Sequence, residues 1–302
     1  MSATSASLRS SVRVLRRTSA VVASLAVLVN LAACSSQDPK PKFLGVDRVT
    51  VAMHNDLPGL SYSSNYDRSG LDFLLLQHIQ DELDVSFSEP VDVSSDDRVT
   101  QLLKRKADMT IASFSITADR MDLVDFVGPY LTTRQGFLVG PKSPAVDTMD
   151  DLRGSRVCTW EGTTSREALD DIKDTAGADP VVLDDASDCI QQLISGQVQA
   201  VSTDQAILYG FARQHEDDEL RVVPDLTIGA PQHYGIGMPK GHGTDCRRLM
   251  AWLKRHVGSS TWIRDVETSL PALTEENRAW ISSHKPSSAA IEARSCRDKV
   301  SP

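Results

Sequence analysis

Apolar and polar positions alternate along Arg48–Met53 (Arg-Val-Thr-Val-Ala-Met), the period of a half-buried strand. Ser69 then precedes a stretch in which Leu71, Leu74, Leu75, Ile79 and Leu83 recur at helical spacing on one face. Ser95 stands where it would cap a helix carrying Val99, Leu102 and Leu103. Met109–Ala112 reads as a short apolar strand. Further strands are expected at Gly136–Val139, Arg156–Thr159, Val181–Leu183, Ala200–Ser202, Arg221–Val223 and Tyr234–Met238, with helical stretches at 165–174, 187–195, 204–214 and 244–257. Strands that alternate with helices predict an α/β fold with mostly parallel sheets, and the strands are too many for one small sheet, which predicts two lobes. After His284 the chain turns polar (Lys285-Pro286-Ser287-Ser288) and is expected to be loosely held unless Cys296 anchors it.

The N-terminus follows a different pattern. Arg9, Arg13, Arg16 and Arg17 precede an apolar run, Ala20–Val29, too short for a membrane span. Leu31-Ala32-Ala33-Cys34 follows. A basic segment, a short apolar segment and small residues before a cut describe a secretory signal over residues 1–33. The sequence around the cut resembles a bacterial lipobox, which implies that Cys34 is lipidated and that the protein sits on the extracytoplasmic face of the cell membrane. Residues 34–42 read as a polar tether.

This division changes the charge arithmetic. The 302 residues carry 32 Lys and Arg against 41 Asp and Glu. Residues 1–33 hold four of the Arg and no acid, so the mature chain keeps 28 basic and 41 acidic residues, a net −13. That balance argues against a nucleic-acid partner, which requires clustered Lys and Arg. With Cys34 set aside, Cys158, Cys189, Cys246 and Cys296 remain, an even number for an oxidising compartment. Three pairings are possible. Cys158–Cys189 and Cys246–Cys296 are favoured because each pair lies within one region of the chain. No metal or cofactor site is expected, because Cys-x-x-Cys is missing and the seven His are scattered. The phosphate-binding loop, the Gly-x-Ser-x-Gly elbow and His-Glu-x-x-His are also missing.

The most informative stretch runs from Ala107 through Ser113-Phe114-Ser115-Ile116-Thr117 to Arg120, then Asp125-Phe126-Val127-Gly128-Pro129-Tyr130. A strand ends and hydroxyls gather at the carboxyl edge of a sheet, where open α/β folds bind ligands. A turn starting near Thr117 brings Arg120 back to that edge, and its planar fork matches a carboxylate. The plainer alternative is a capped turn with Arg120 paired to Asp119 or Asp125.

This stretch resembles the extracytoplasmic solute-binding proteins of ABC importers that bind polar amino acids. Further segments fit in order: Gly70-Leu71-Asp72, Arg98 before Leu102-Leu103, Asp151-Leu152-Arg153-Gly154, Gly162-Thr163-Thr164-Ser165, Gly196 to Asp204, and Tyr234-Gly235-Ile236-Gly237. The likeness covers roughly 46–270, and Asp56-Leu57-Pro58-Gly59 with Cys158 and Cys189 is most similar to glutamate- and glutamine-type binding lipoproteins. It implies a two-lobed, type II periplasmic-binding-protein-like α/β fold, each lobe a mostly parallel sheet flanked by helices. Lobe 1 would span 43–130 and 234–283, lobe 2 would span 135–227, the hinge crossings 131–134 and 228–233, and the tail 284–302.

The resemblance also implies roles. Arg120 holds the ligand's α-carboxylate, aided by Ser113 and Ser115. Thr164 and Ser165 open a helix whose N–H groups and dipole favour the same carboxylate, or they act only as caps. Asp204 binds the α-ammonium, or caps the helix that follows, with Thr203 beside it. His54, Asp56 and Arg134 are expected to face the cleft and select the side chain, and Trp160 or Phe114 to pack on its aliphatic part; the plainer alternatives are a surface Arg134 and a core Phe114. Leu71, Gln199 and Ser113 depart from the family's usual aromatic, Asp and Gly. The implied protein is a monomeric, lipid-anchored receptor for glutamate, glutamine or aspartate that serves a permease and an ATPase on other chains. Two alternatives are an amino-acid sensor with a membrane partner, and a dehydratase-type enzyme using Glu161 or Asp56.

Overall fold

A computed structural model describes residues 42–297 apart from Tyr66 and Pro144. The signal segment 1–33, the Cys34 lipid site, the tether as far as Pro41 and the last five residues lie outside the described residues.

The first part of the chain forms β1 (Val51–Met53), a small antiparallel sheet of β2 (Asp56–Leu57), β3 (Ser61–Ser64) and β4 (Asp67–Ser69), and α1 (Leu71–Leu83). It continues through β5 (Val91–Asp92), α2 (Arg98–Leu103), β6 (Met109–Ser115) and α3 (Ala118–Leu123). β7 (Asp125–Val139) leads to β8 (Arg156–Trp160), α4 (Thr164–Ala176), β9 (Asp179–Leu183), α5 (Ala186–Ser195), β10 (Ala200–Asp204) and α6 (Gln205–Gln214). β11 (Arg221–Met238) returns to a helical end: α7 (Gly243–Gly258), α8 (Ser260–Ser269), α9 (Pro271–Glu276), α10 (Trp280–His284) and α11 (Ser288–Arg294).

Eight strands join in one sheet, in the order β5-β1-β6-β11-β7-β10-β8-β9. Each flank is parallel: β1 pairs with β5 and β6, and β8 with β9 and β10. β7 and β11 lie at the centre, antiparallel to each other and to β10 and β6 respectively. They run the full width between the flanks. Tyr234–Met238 pairs within the first flank, and Arg221–Val223 with β7 beside the second.

The chain pattern predicts only the ends of these two strands. β7 is buried at all but two of its 15 positions, so it shows no alternation to read. β11 carries Pro224, Gly229 and Pro231 in its middle, residues that punctuate a sequence. The strand survives because its pairing with β7 shifts register between Val223 and Ile228 and again before Gln232.

Helix ends follow ordinary capping chemistry. α4 begins after Thr163, whose hydroxyl accepts the Arg166 N–H, and ends at Gly177 with φ 66°. Ser95 caps no helix. α2 starts three residues later, and the Ser95 hydroxyl instead accepts the Trp160 indole N–H at 3.3 Å.

Both favoured cysteine pairs are bonded. Cys158–Cys189 ties β8 to α5, and Cys246–Cys296 ties α7 to the segment after α11. Loops of this size correspond to roughly 3–4 kcal/mol each by the chain-entropy argument. The C-terminal segment is held as far as Arg297. Ser295 Oγ donates to Gly128 O and accepts Gly128 N–H, the Cys296 N–H reaches Phe126 O, and the Arg297 N–H reaches Asp125. The stretch after His284 is thus held by the Cys296 anchor, the condition under which it was not expected to be loose, and it also contains a helix. Among the described residues no helix is long and apolar enough to cross a membrane.

Candidate functional site

The carboxyl ends of β1, β6, β8 and β10 meet around one cavity, as open α/β sheets arrange their ligand sites. Near the end of β6, Ser113 takes φ 45°, a left-handed conformation costly for a residue with a Cβ. Asp72 of α1 holds it there. Its Oδ2 accepts the Ser113 N–H at 2.9 Å and hydroxyl at 3.2 Å, and its Oδ1 accepts the Tyr130 hydroxyl at 2.7 Å. Burial raises the pKa of Asp72 while these hydrogen bonds oppose the shift.

Two guanidinium groups lie on the Phe114 ring, 4.8 Å (Arg98) and 5.0 Å (Arg120) from its centroid. Arg98 donates to the carbonyls of Ser95, Ala112, Ser113 and Gly162. Arg120 is brought back by α3, which Thr117 caps, and donates to Ser115 O and Gly162 O, both at 2.8 Å. Burial, then the Arg120 charge, pushes the Arg98 pKa down to about 9. Burial also lowers Arg120, opposed by Glu167 and Asp204.

The opposite wall comes from the β8–α4 turn and the end of β10. Thr164 and Ser165 hold the first turn of α4, where backbone N–H groups have no partner within the helix. The Thr164 hydroxyl joins Gln135 and Gln232, and the Ser165 hydroxyl lies 3.3 Å from that of Thr203. Asp204 stands at the N-cap of α6 without capping it. Its Oδ2 accepts the Tyr234 hydroxyl at 2.6 Å, and its buried Oδ1 has no hydrogen-bond partner. Burial pushes its pKa up to about 6 against the pull of Tyr234, Arg98 and Arg120. Gly162 closes the wall at φ 71°, and a Cβ there would lie 2.3 Å from the Asp96 backbone.

The cavity measures about 10 Å³, room for a single water molecule. Nine sequence-predicted residues line it: His54, Ser113, Ser115, Arg120, Trp160, Thr164, Ser165, Thr203 and Asp204. Asp56 lines a neighbouring cavity of about 330 Å³ instead, with Asp92, Asp184, Asp185 and Asp188. Burial and then Asp185 push the Asp56 carboxyl up to about 6, against backbone N–H donors of Ala186 and Ser187. Phe114 is fully buried in a core cluster with Leu102, Val124 and Phe126, supporting the arginines from below. Arg134 is exposed between buried Thr133 and Gln135 and lines neither cavity. Ser95, Arg98 and Thr163 line the site but were not predicted there. Arg98 had a sequence signal: a cation on the apolar face of a short helix, beside Leu102.

A parallel-flanked α/β sheet crossed by two central strands, with its polar cavity at the carboxyl edges, defines a two-lobed periplasmic binding protein of type II. The chain belongs to the bacterial extracellular solute-binding proteins, family 3, whose sequence profile matches residues 49–285. It is similar to the glutamate-binding protein GluB of Corynebacterium glutamicum, 32% identical over 78% of this chain and 84% of that protein. It is also similar to the glutamine-binding protein GlnH of Bacillus subtilis, 28% identical over 77% and 89%. An ancestral arginine-binding protein bound to arginine shares the fold with a TM-score of 0.67, at 26% identity over 74% of this chain and 98% of that one.

Proposed function

We propose that the protein is the lipid-anchored substrate receptor of an ABC importer and takes a polar α-amino acid, glutamate ahead of glutamine and aspartate. One observation carries this reading: a buried guanidinium (Arg98), a half-buried one (Arg120) and an unpartnered buried carboxylate oxygen line the same cavity. An α-amino acid brings the complementary pair. Its carboxylate meets the Arg120 fork, the Ser115 hydroxyl and the α4 N-terminus, and its ammonium meets Asp204 Oδ1. Arg98 then favours an acidic side chain, while burial and the Arg98 and Arg68 charges hold the His54 pKa well below its usual value, so His54 offers a hydrogen bond and not a charge. The similarity to GluB supports this choice.

Entry requires Gly162 O to leave both arginines, because the cavity is too small for an amino acid. The halves turn about the crossings at 131–134 and 228–233, and ligand favours the closed arrangement by bridging them. The closed form docks on a permease supplied by other chains. Turnover is not part of the proposal. Glu161 is paired with Arg166, and neither Glu161 nor Asp56 lines the cavity.

The five-aspartate cavity supports a second reading, in which a cationic side chain passes His54 and Trp160 toward those acids. Calorimetry over the twenty amino acids separates the two. Heat with glutamate, glutamine or aspartate is expected. Heat with arginine and lysine alone moves the assignment to the second reading, and no heat with any amino acid removes both.

A further inference from the structure

The helical layer contains a group of metal-ligating side chains that lines neither cavity described above. His78 and Glu82 stand one turn apart on α1, His256 near the end of α7 and Asp265 on α8. Asp265 Oδ2 lies 3.0 Å from His78 Nε2 and 3.5 Å from His256 Nε2. Donor atoms of His78, Glu82 and His256 also fall within 4.8 Å of one another. The two imidazole rings are 4.9 Å apart, and His256 is stacked on Trp252 with ring centroids 5.0 Å apart.

The geometry points to a zinc site on His78, His256 and Asp265. Zinc binds imidazole nitrogen and carboxylate oxygen at about 2.0–2.2 Å, so neighbouring ligands of a tetrahedral ion stand roughly 3.3 Å apart. The two measured separations bracket that value. Both imidazoles approach the same carboxylate oxygen, Asp265 Oδ2, with Nε2. Glu82 Oε1 lies 4.0 Å from His78 Nδ1, an ion-pair separation beyond hydrogen-bond reach. The site is also held firmly. The His256 side chain is 2% exposed and Asp265 12%, while His78 at 27% leaves a path from solvent and room for a fourth, water ligand.

Two imidazoles and one carboxylate suit zinc or its first-row neighbours and not calcium or magnesium, which take oxygen ligands. The ion would fasten α1 to the C-terminal helices α7 and α8. The role is structural and independent of the amino-acid reading, since none of these residues lines that cavity. The scattering of histidines along the sequence gives no hint of it, because His78 and His256 meet only in the fold.

Tag-free protein stripped with EDTA and dialysed tests this directly. Co²⁺ should bind at one equivalent with the intense visible bands of a tetrahedral site. Zn²⁺ at one hundred times its Kd should raise Tm by about 5–10 °C. Ca²⁺ and Mg²⁺ should not. His78→Ala, at a partly exposed position, and Asp265→Asn should each remove the cobalt bands and the zinc shift while leaving glutamate binding unchanged. Failure of the unaltered protein to bind Co²⁺ or Zn²⁺ overturns the proposal. So does a zinc shift that persists in His78→Ala, because the ion then sits elsewhere.

Discussion

His54, Ser95 and Trp160 are a thin wall between two cavities of opposite character. On one side Arg98 and Arg120 share a carbonyl above an aromatic ring, in a space for one water. On the other, five aspartates surround about 330 Å³ open to solvent. The difference follows from how each charge is stabilised. A guanidinium withdrawn from water needs fixed acceptors, and buried Arg98 and half-buried Arg120 both donate to backbone carbonyls that hold their charge at the site. The aspartates keep water, and Asp92 is paired with Arg68. An acidic protein can thus present an anion site without becoming basic overall, because only the position of two arginines matters.

If the cationic cavity carries binding, its largest dependence falls on Arg120. Arg120→Ala should weaken glutamate binding more than 100-fold, the scale of losing a bidentate charge pair in a buried site. Circular dichroism and Tm should remain near the parent values, since α3 contains no fully buried residue. Retained affinity in calorimetry would transfer the carboxylate role to Arg98 or to the α4 N-terminus.

Closure gives the next effect. A methyl group at residue 162 collides with the Asp96 backbone, an atom pair from opposite sides of the cavity. Gly162→Ala should therefore leave each half folded and prevent their tight approach. Affinity should drop roughly 10- to 100-fold, through faster dissociation, which stopped-flow fluorescence would resolve. Unchanged dissociation would mean that Gly162 O need not contact the arginines in the bound state. The left-handed φ of 71° at this residue adds a backbone cost to the same substitution, so a stability measurement should accompany the kinetics.

Much of this was legible in the sequence and the omissions have physical reasons. Ser115 and Arg120 come from one stretch, Thr164 and Asp204 from two further segments that the family resemblance picks out, and each lies near a point where a strand gives way to a helix. The sequence leaves Arg134 open between the cleft and the surface because β7 has no visible alternation from which to tell its faces. Arg98 reads from the sequence only as a family landmark, since nothing local says that a helical arginine turns inward to meet carbonyls from three other segments. The length of β7 and β11 was hidden by their own prolines, glycines and continuous burial. Sheet pairing, a non-local property, sustains them.

Two aspartates, one per cavity, give the comparison its finest test. Asp204 and Asp56 are both pushed up to about 6, Asp204 by burial against neighbouring arginines and Asp56 by burial reinforced by Asp185. Asp204 must be ionised to hold an ammonium. Affinity should then be flat above pH 6 and decline below it by up to tenfold per unit. Asp56 should not touch that profile. Folding raises its pKa, so the folded state holds the proton more tightly than the unfolded chain, and stability from this group rises as pH falls from about 6 toward 3.8. At pH 7 the ionised carboxylate opposes folding. Asp56→Asn should accordingly stabilise the protein by ~1 kcal/mol at pH 7, with the gain fading at pH 5, as urea titrations would read. The pH profile for glutamate should remain that of the parent. If Asp56→Asn instead abolishes the acid-side loss of affinity, the acidic cavity belongs to the binding site and the wall between the two is functional rather than structural.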